Sequence, residues 1–228
     1  MIITRFVSVI ILGYLLGSVP SGVLVAKLFS RVDVREHGSG KMGATNVLRT
    51  AGTKAAIIVV ILDIMKGAVA VIAARLIVDG HYLILGNVAL GSLAAQILAG
   101  LTAIIGHIWP VFVKFKGGRG VATFFGGLVV LCPAAAVFGG EVLIIGAGLT
   151  QFASLGSIAG VVGTYTILIP LTILNGFRLE LLIYALIGAI IIIVMHRGNI
   201  TRLLSGRERK LGDRLRTTQS PPVAKKVT

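Results

Sequence analysis

The chain has 228 residues, of which 56% are hydrophobic and only 13% charged, with a formal net charge of +14 and a mean hydropathy of +0.98. A soluble domain of this length needs more charged surface, so the composition fits the bilayer as solvent. The basic residues flank apolar runs, which argues against a nucleic-acid partner, and the single cysteine, Cys132, excludes an internal disulfide or a cysteine-based metal site.

A bilayer-crossing helix needs about 20 mostly apolar residues. The candidate runs are 2–28, 54–78, 82–108, 118–132, 134–151, 156–174 and 179–196. The first carries only Arg5 and is too long for a cleaved signal sequence, so it reads as a retained span. The fourth and fifth are short, glycine-rich and divided at Cys132-Pro133, where proline ends one helix and starts the next.

Charge alternates between these runs. Segment 29–53 carries Arg31, Arg35, Lys41 and Arg49, segment 109–119 carries Lys114, Lys116 and Arg119, and the tail from Arg197 is strongly basic. The connections near Asp79-Gly80 and Asn175-Gly176 are nearly uncharged. The positive-inside rule puts the basic segments in the cytoplasm and the N-terminus outside, a parity that seven spans satisfy. The fold expected is an all-α integral membrane protein of about seven transmembrane helices, with residues 1–212 as one transmembrane domain. Residues 213–228 form a basic cytoplasmic tail whose last dozen residues, with Pro221-Pro222, are expected to be disordered.

The first basic segment runs from His37 to Arg49. Gly38, Gly40 and Gly43 match GxGxxG in form, but a membrane helix precedes them, with no strand and no βαβ unit for a dinucleotide. Glycines here let backbone N–H groups converge on an anion, and Ser39, Thr45, Asn46 and Arg49 add side-chain donors.

The second segment reads Gly106-His107-Ile-Trp-Pro110, then Lys114-Phe-Lys116-Gly117-Gly118-Arg119-Gly120, with Thr123 close behind. Glycines surrounding Arg119 at the start of a span suggest N–H groups and a helix N-terminus aimed at a negative group. His107, alone at a helix end, reads first as a structural hydrogen bonder.

Ser154-Leu-Gly-Ser157 is a weaker patch, since Gly156-xxx-Gly160 also suits close helix packing. After the last span, His196 and Asn199 stand on one face if the helix continues, and Glu208 follows within a basic run. Within the second span, Asp63 and Lys66 read first as a mutually neutralising pair, although an intramembrane pair is also a functional suspect.

No HExxH, Cys/His cluster, close carboxylate cluster or GxSxG is present, so no metal centre, cofactor or serine nucleophile is expected. Cations, amides and hydroxyls beside an apolar bundle suit a substrate with both a phosphate and an acyl chain.

Taken together, Gly-Ser-Val-Pro-Ser-Gly at 17–22, Gly38 to Arg49, Asp63-Ile-Met-Lys-Gly67, Lys116 to Thr123, Ser154 to Ser157 and His196 to Lys210 resemble the acyl-phosphate-dependent glycerol-3-phosphate acyltransferases of bacterial membranes. The resemblance implies transfer of an acyl group from acyl-phosphate to the 1-hydroxyl of glycerol 3-phosphate, giving lysophosphatidic acid and phosphate. It places the site on the cytoplasmic side of a multi-pass inner-membrane protein. Membrane lipids are neighbours there, and the enzyme that makes acyl-phosphate is a candidate partner.

By the same resemblance, Ser39, Arg49, Arg119, Ser157, His196 and Asn199 are catalytic. Gly38, Gly40, Lys41, Gly43, Thr45, Asn46, Lys116, Gly117, Gly118, Gly120, Thr123, Ser154 and Glu208 line the substrates. Lys41 stands where the family usually has asparagine, and Arg119 where it usually has lysine. Two proton acceptors are open, His196 as a general base or a substrate phosphate oxygen. The absence of an obvious enzymic base favours the second. A membrane transporter of a phosphorylated or lipid substrate is the alternative function.

Overall fold

The computed structural model describes residues 2–213. The stretch expected to be disordered, 217–228, lies outside the described residues, as does all but the first residue of the 213–228 tail. Among the described residues the regular elements are helices, apart from one short hairpin.

The first apolar run forms two helices, α1 (Ile2–Ser18) and α2 (Ser21–Ser30), where a single helix over 2–28 was expected. Pro20 explains the break: it has no N–H and disfavours helical geometry at Val19. The Pro20 carbonyl then accepts from Val23 and Leu24 and starts the second helix. A short 3₁₀ turn, Val34–Glu36, is capped by the Asp33 carboxylate and leads into the first basic loop.

Helix α3 (Ala44–Val78) begins ten residues before the expected position 54 and bends at Gly52, whose φ of 86° suits only glycine. Its 35 residues would span about 50 Å, against a hydrocarbon core of about 30 Å. The turns before Gly52 therefore belong to the basic segment and those after it to the membrane.

The third run starts late. Residues expected to open a helix at 82 form an antiparallel hairpin, β1 (Leu83–Leu85) with β2 (Val88–Leu90), turning through Gly86, whose φ is positive. Helix α4 (Ser92–Ile108) follows. Then come α5 (Val121–Leu131) and α6 (Pro133–Thr150), parted at Cys132 as expected, with Pro133 in the first turn of α6. The chain ends in α7 (Ala153–Asn175), α8 (Leu179–Met195) and a short α9 (Arg197–Leu204) bent from α8 by 60°.

Among the described residues, five helical stretches are long and apolar enough to cross a membrane, or six if α8 and α9 count as one. The expected seven are not reached on length, because α5 has only 11 residues.

Small residues bring these helices together. A Cβ at Gly17 would collide with the Ala103 carbonyl, and one at Gly106 with the Tyr14 carbonyl, so α1 and α4 meet backbone to backbone. Gly156 and Gly160 press α7 against Leu143 of α6, the close packing that a Gly-xxx-Gly pair allows. In the centre the Tyr184 and Phe124 rings stack with centroids 5.3 Å apart, and the Tyr184 hydroxyl donates to the Phe124 carbonyl at 2.9 Å. The outer faces expose Ile61, Leu76, Ile144 and Ile173, the arrangement expected where lipid is the solvent.

Candidate active site

The candidate residues gather where loop 37–43, loop 109–120, the start of α7 and the α8–α9 bend meet. In the first loop Gly38 and Gly40 have positive φ and turn the chain sharply. Thr45, Asn46 and Arg49, expected within a glycine-rich loop, lie instead in the opening turns of α3, with Gly43 as its N-cap.

Asn46 has a structural role. Its amide donates to the carbonyls of Val34 (2.9 Å), His37 (3.0 Å) and Lys41 (2.8 Å), and its oxygen accepts from the Ser39 N–H (3.1 Å). It is buried and staples the loop together, so it has no donor to spare for a phosphate. Ser39 is exposed at the loop surface, with its hydroxyl free of internal hydrogen bonds among the described residues.

The second loop also differs from expectation. Gly117 and Gly118 donate their N–H groups to the carbonyls of Ile108 (3.2 Å) and His107 (3.1 Å), so those amides are not offered to an anion. These glycines allow close packing, since a Cβ on either would collide with the end of α4. What remains for an anion is Arg119 and the first N–H groups of α5, which begins at a Gly120 N-cap with φ of 85°. Thr123, in the first turn of α5, is fully buried and its hydroxyl has no partner among the described residues. Lys116 is exposed.

The third cluster centres on Glu208. Its Oε1 accepts from Ser154 Oγ at 2.9 Å and Asn199 Nδ2 at 2.6 Å, and its Oε2 accepts from Arg202 Nε at 2.7 Å. His196 is 1% exposed and Asn199 5%, and the α9 turn puts both inward. His196 Nδ1 lies 2.8 Å from the Ile192 carbonyl. A carbonyl can only accept, so Nδ1 carries the hydrogen and Nε2 keeps its lone pair. Ser157 donates within its own helix, to Ala153.

Arg49 reaches this cluster from α3. Its Nη2 donates to the carbonyls of Lys210 (3.0 Å) and Arg209 (3.3 Å), while its buried Nε has no partner among the described residues. The Leu211 N–H donates to the Gln151 carbonyl at 2.8 Å. Residues 207–213 thus form a strap linking α3 to the start of α7.

The field at this edge is positive. Burial pushes the Lys41 ammonium below its ordinary value, and Arg119 and Arg197 push it further. Burial likewise lowers Arg119; Glu208 opposes that, and Arg202 and Arg49 add to it. Burial alone would raise Glu208, but hydrogen bonds from Asn199, Ser154 and Arg202 outweigh it and hold the carboxyl below its usual range. Arg49, Arg119 and Arg202 thus lie in the field of Glu208, and Arg197 and Arg209 add to the positive charge at this edge. Arg197 and Arg202 had not been singled out as site residues, although their spacing beside Asn199 on one helix was a signal.

A cavity of about 680 Å³ opens beside Arg49, between Leu48, Gly52 and Thr53 of α3 and Leu211 to Asp213 of the strap. Leu48 and Thr53 also line a second groove, of about 340 Å³, that runs along Ala56, Ile57, Val60 and Ile61. A recess of mixed lining beside Arg49 thus adjoins an apolar groove along α3. Among the described residues no three His, Cys, Asp or Glu side chains group as metal ligands.

Fold and site define a multi-pass membrane protein with a positively charged edge beside an apolar groove. The family model for glycerol-3-phosphate acyltransferase matches residues 7–206. The chain is 58% identical to "Glycerol-3-phosphate acyltransferase 3" of Dehalococcoides mccartyi (strain CBDB1), over 95% of this chain and 100% of that protein. It is 43% identical to the glycerol-3-phosphate acyltransferase of Halalkalibacterium halodurans, over 90% of this chain and 95% of the relative.

The crystal structure of PlsY (YgiH), an integral membrane glycerol 3-phosphate acyltransferase, superimposes in its glycerol 3-phosphate form with a TM-score of 0.77 at 34% identity, covering 90% of this chain and 94% of that one. Its lysophosphatidic acid form gives 0.73 at 33%. The chain belongs to the glycerol-3-phosphate acyltransferase family, and is an integral membrane enzyme of that family.

Proposed function

We propose that the enzyme takes its acyl group from acyl-phosphate and places it on the 1-hydroxyl of glycerol 3-phosphate, releasing lysophosphatidic acid and phosphate at the cytoplasmic face of the bacterial cell membrane. The observation that carries this reading is that the recess holding the Arg49 guanidinium shares Leu48 and Thr53 with the apolar groove along α3. A headgroup phosphate and an acyl chain need those two environments side by side. PlsY has been solved with glycerol 3-phosphate and with lysophosphatidic acid, the acceptor and product of this reaction.

In the proposed reaction the hydroxyl oxygen attacks the acyl carbonyl carbon, the bond from that carbon to the phosphate oxygen breaks, and phosphate leaves with its electron pair. Acyl-phosphate is already activated, so no covalent enzyme intermediate is needed. Arg119, Lys41, Arg49 and the first amides of α5 stabilise charge on the departing phosphate, while Ser39 and Asn199 orient the reactants. The hydroxyl proton passes to a substrate phosphate oxygen. His196 Nε2 is available to take it, but the resulting imidazolium would be buried beside Arg119, which supports the substrate as acceptor.

The topology proposed has seven crossings, with the N-terminus outside. Ser154, Asn199, Arg49 and the strap are in contact, so they share one edge. Arg119 acts on the same charges, so α5 must carry the chain away over the distance that α6 returns it. Its short length is tolerable because Phe124, Phe125 and Leu128 bury it among other helices.

Purified enzyme given acyl-phosphate and glycerol 3-phosphate should form 1-acyl lysophosphatidic acid, identified by mass spectrometry. Transport of either substrate into liposomes without product formation would favour the transporter alternative.

A further inference from the structure

The polar pair inside α3 takes no part in the chemistry above. Asp63 is 2% exposed and Lys66 6%, their charged atoms 2.8 Å apart, well beyond the Gly52 kink in the membrane part of the helix. Mutual neutralisation accounts for these two residues but not for their company. The same Asp63 Oδ1 accepts from Ser21 Oγ of α2, and His107 Nδ1 of α4 stands 3.5 Å away, an electrostatic contact slightly too long for a good hydrogen bond. Lys66 Nζ donates to the Val19 carbonyl, at the α1–α2 break, at 3.2 Å. One carboxylate thus gathers three helices.

Each of its outer contacts stands one step from an anion-binding segment. Gly22 follows Ser21 and lies so close to the Met42 carbonyl that any Cβ would collide with it, and Met42 sits between Lys41 and Gly43. On the other side the His107 ring lies against Gly118, where a Cβ would collide with Nε2, and the His107 carbonyl accepts the Gly118 N–H at 3.1 Å. Arg119 is the next residue.

We infer that Asp63, held by Lys66, is a positioning residue for acyl transfer. It fixes the first loop through Ser21, Gly22 and Met42, and fixes Arg119 through His107 and Gly118. The two segments that grip the reacting phosphates are thereby kept at one separation by a single buried carboxylate. The inference rests on the proposed phosphate-binding roles of the first loop and Arg119. Buried polar networks in a low-dielectric setting hold geometry tightly when satisfied, and rate is sensitive to small displacements of reacting groups.

The test is a mutant cycle on purified enzyme, with kcat, both KM values and thermal stability measured. Asp63→Asn with Lys66→Met removes both charges together, which avoids an uncompensated buried ion. The pair of changes should lower kcat at least about 10-fold with KM values within about 3-fold, and the loss should shrink at least about 5-fold in an Arg119→Ala background, because coupled residues are not additive.

Ser21→Ala removes no charge and serves as the second variant. Its loss of about 3- to 10-fold in kcat should nearly vanish in a Ser39→Ala background. If the double variant does not fold, this second cycle decides. Equal losses in both backgrounds, or full activity of the variants, overturn the inference. Full activity of Arg119→Ala alone would overturn it by removing the proposed role of Arg119, a result distinct from additive losses.

Discussion

The Asn199 side chain donates to Glu208 Oε1 at 2.6 Å, and this bond joins the α8–α9 bend to the strap that follows it. Ser154 donates to the same oxygen, so α7, α9 and the strap meet at one carboxylate. Glu208→Gln should therefore cost activity through misplaced Asn199. Each lost charge-assisted bond is worth roughly 1.5–3 kcal/mol, so a drop of at least about 10-fold in kcat/KM is expected, with Glu208→Ala worse.

Stability should carry a pH signature from the same residue. The folded state holds the Glu208 carboxyl below its ordinary value, so its contribution is present above the unfolded pKa and is lost as pH falls through the folded one. The Tm gap between wild type and Glu208→Gln should stay constant from pH 7 to about 5 and close below about pH 4. A gap that widens with acid would contradict this.

Arg49 offers a sharper substitution. Its Nη2 already serves the Arg209 and Lys210 carbonyls, and its Nε has no acceptor among the described residues. A planar fork can hold the strap and a phosphate together; a lysine cannot. Arg49→Lys should be nearly as harmful as Arg49→Ala, by about 10- to 150-fold. Full activity of the lysine variant would reduce Arg49 to a topology charge.

The proton acceptor can be separated by His196→Ala. With a substrate phosphate as acceptor, turnover slows but stays measurable. A general base is worth typically about 10²–10⁴-fold, so complete loss with both substrates still bound would assign the proton to His196. Affinities are measured alongside because His196 also accepts, through its carbonyl, the Asn199 N–H.

Orientation is open to labelling in a Cys132→Ser background. Asp79→Cys and Asn175→Cys should react with an impermeant reagent from outside intact cells. His37→Cys and Phe115→Cys, at exposed positions, should react only after the membrane is opened. Reaction of all four from one side would break the seven-crossing topology.

What was legible in the sequence was mostly local. Apolar run length and charge alternation located the helices, and Cys132-Pro133 was read correctly because proline acts on its immediate neighbours. Pro20 carries a similar local signal that the hydrophobicity around it masked, while the polar stretch from Arg49 to Lys54 hid the helical turns that precede Gly52. Leu83 to Leu90 was misread because a short apolar run suits helix and strand alike.

The site was legible as a set of residue types and less so as a set of roles. Glycine serves both anion nests and close packing, and only the fold shows that Gly117 and Gly118 do the second. Asn46 looked like a ligand, yet its acceptors are carbonyls fixed by the loop it closes. The Glu208 cluster joins residues as far apart as Ser154, a distance in sequence that no pattern encodes.

Direct transfer between two phosphate-bearing substrates is tested most directly by following phosphate release from acyl-phosphate by the purified enzyme, with and without glycerol 3-phosphate. Release should depend on glycerol 3-phosphate and match lysophosphatidic acid one for one, with no burst in its absence. A burst of phosphate equal to the enzyme concentration without the acceptor would reveal an acyl-enzyme and contradict direct attack.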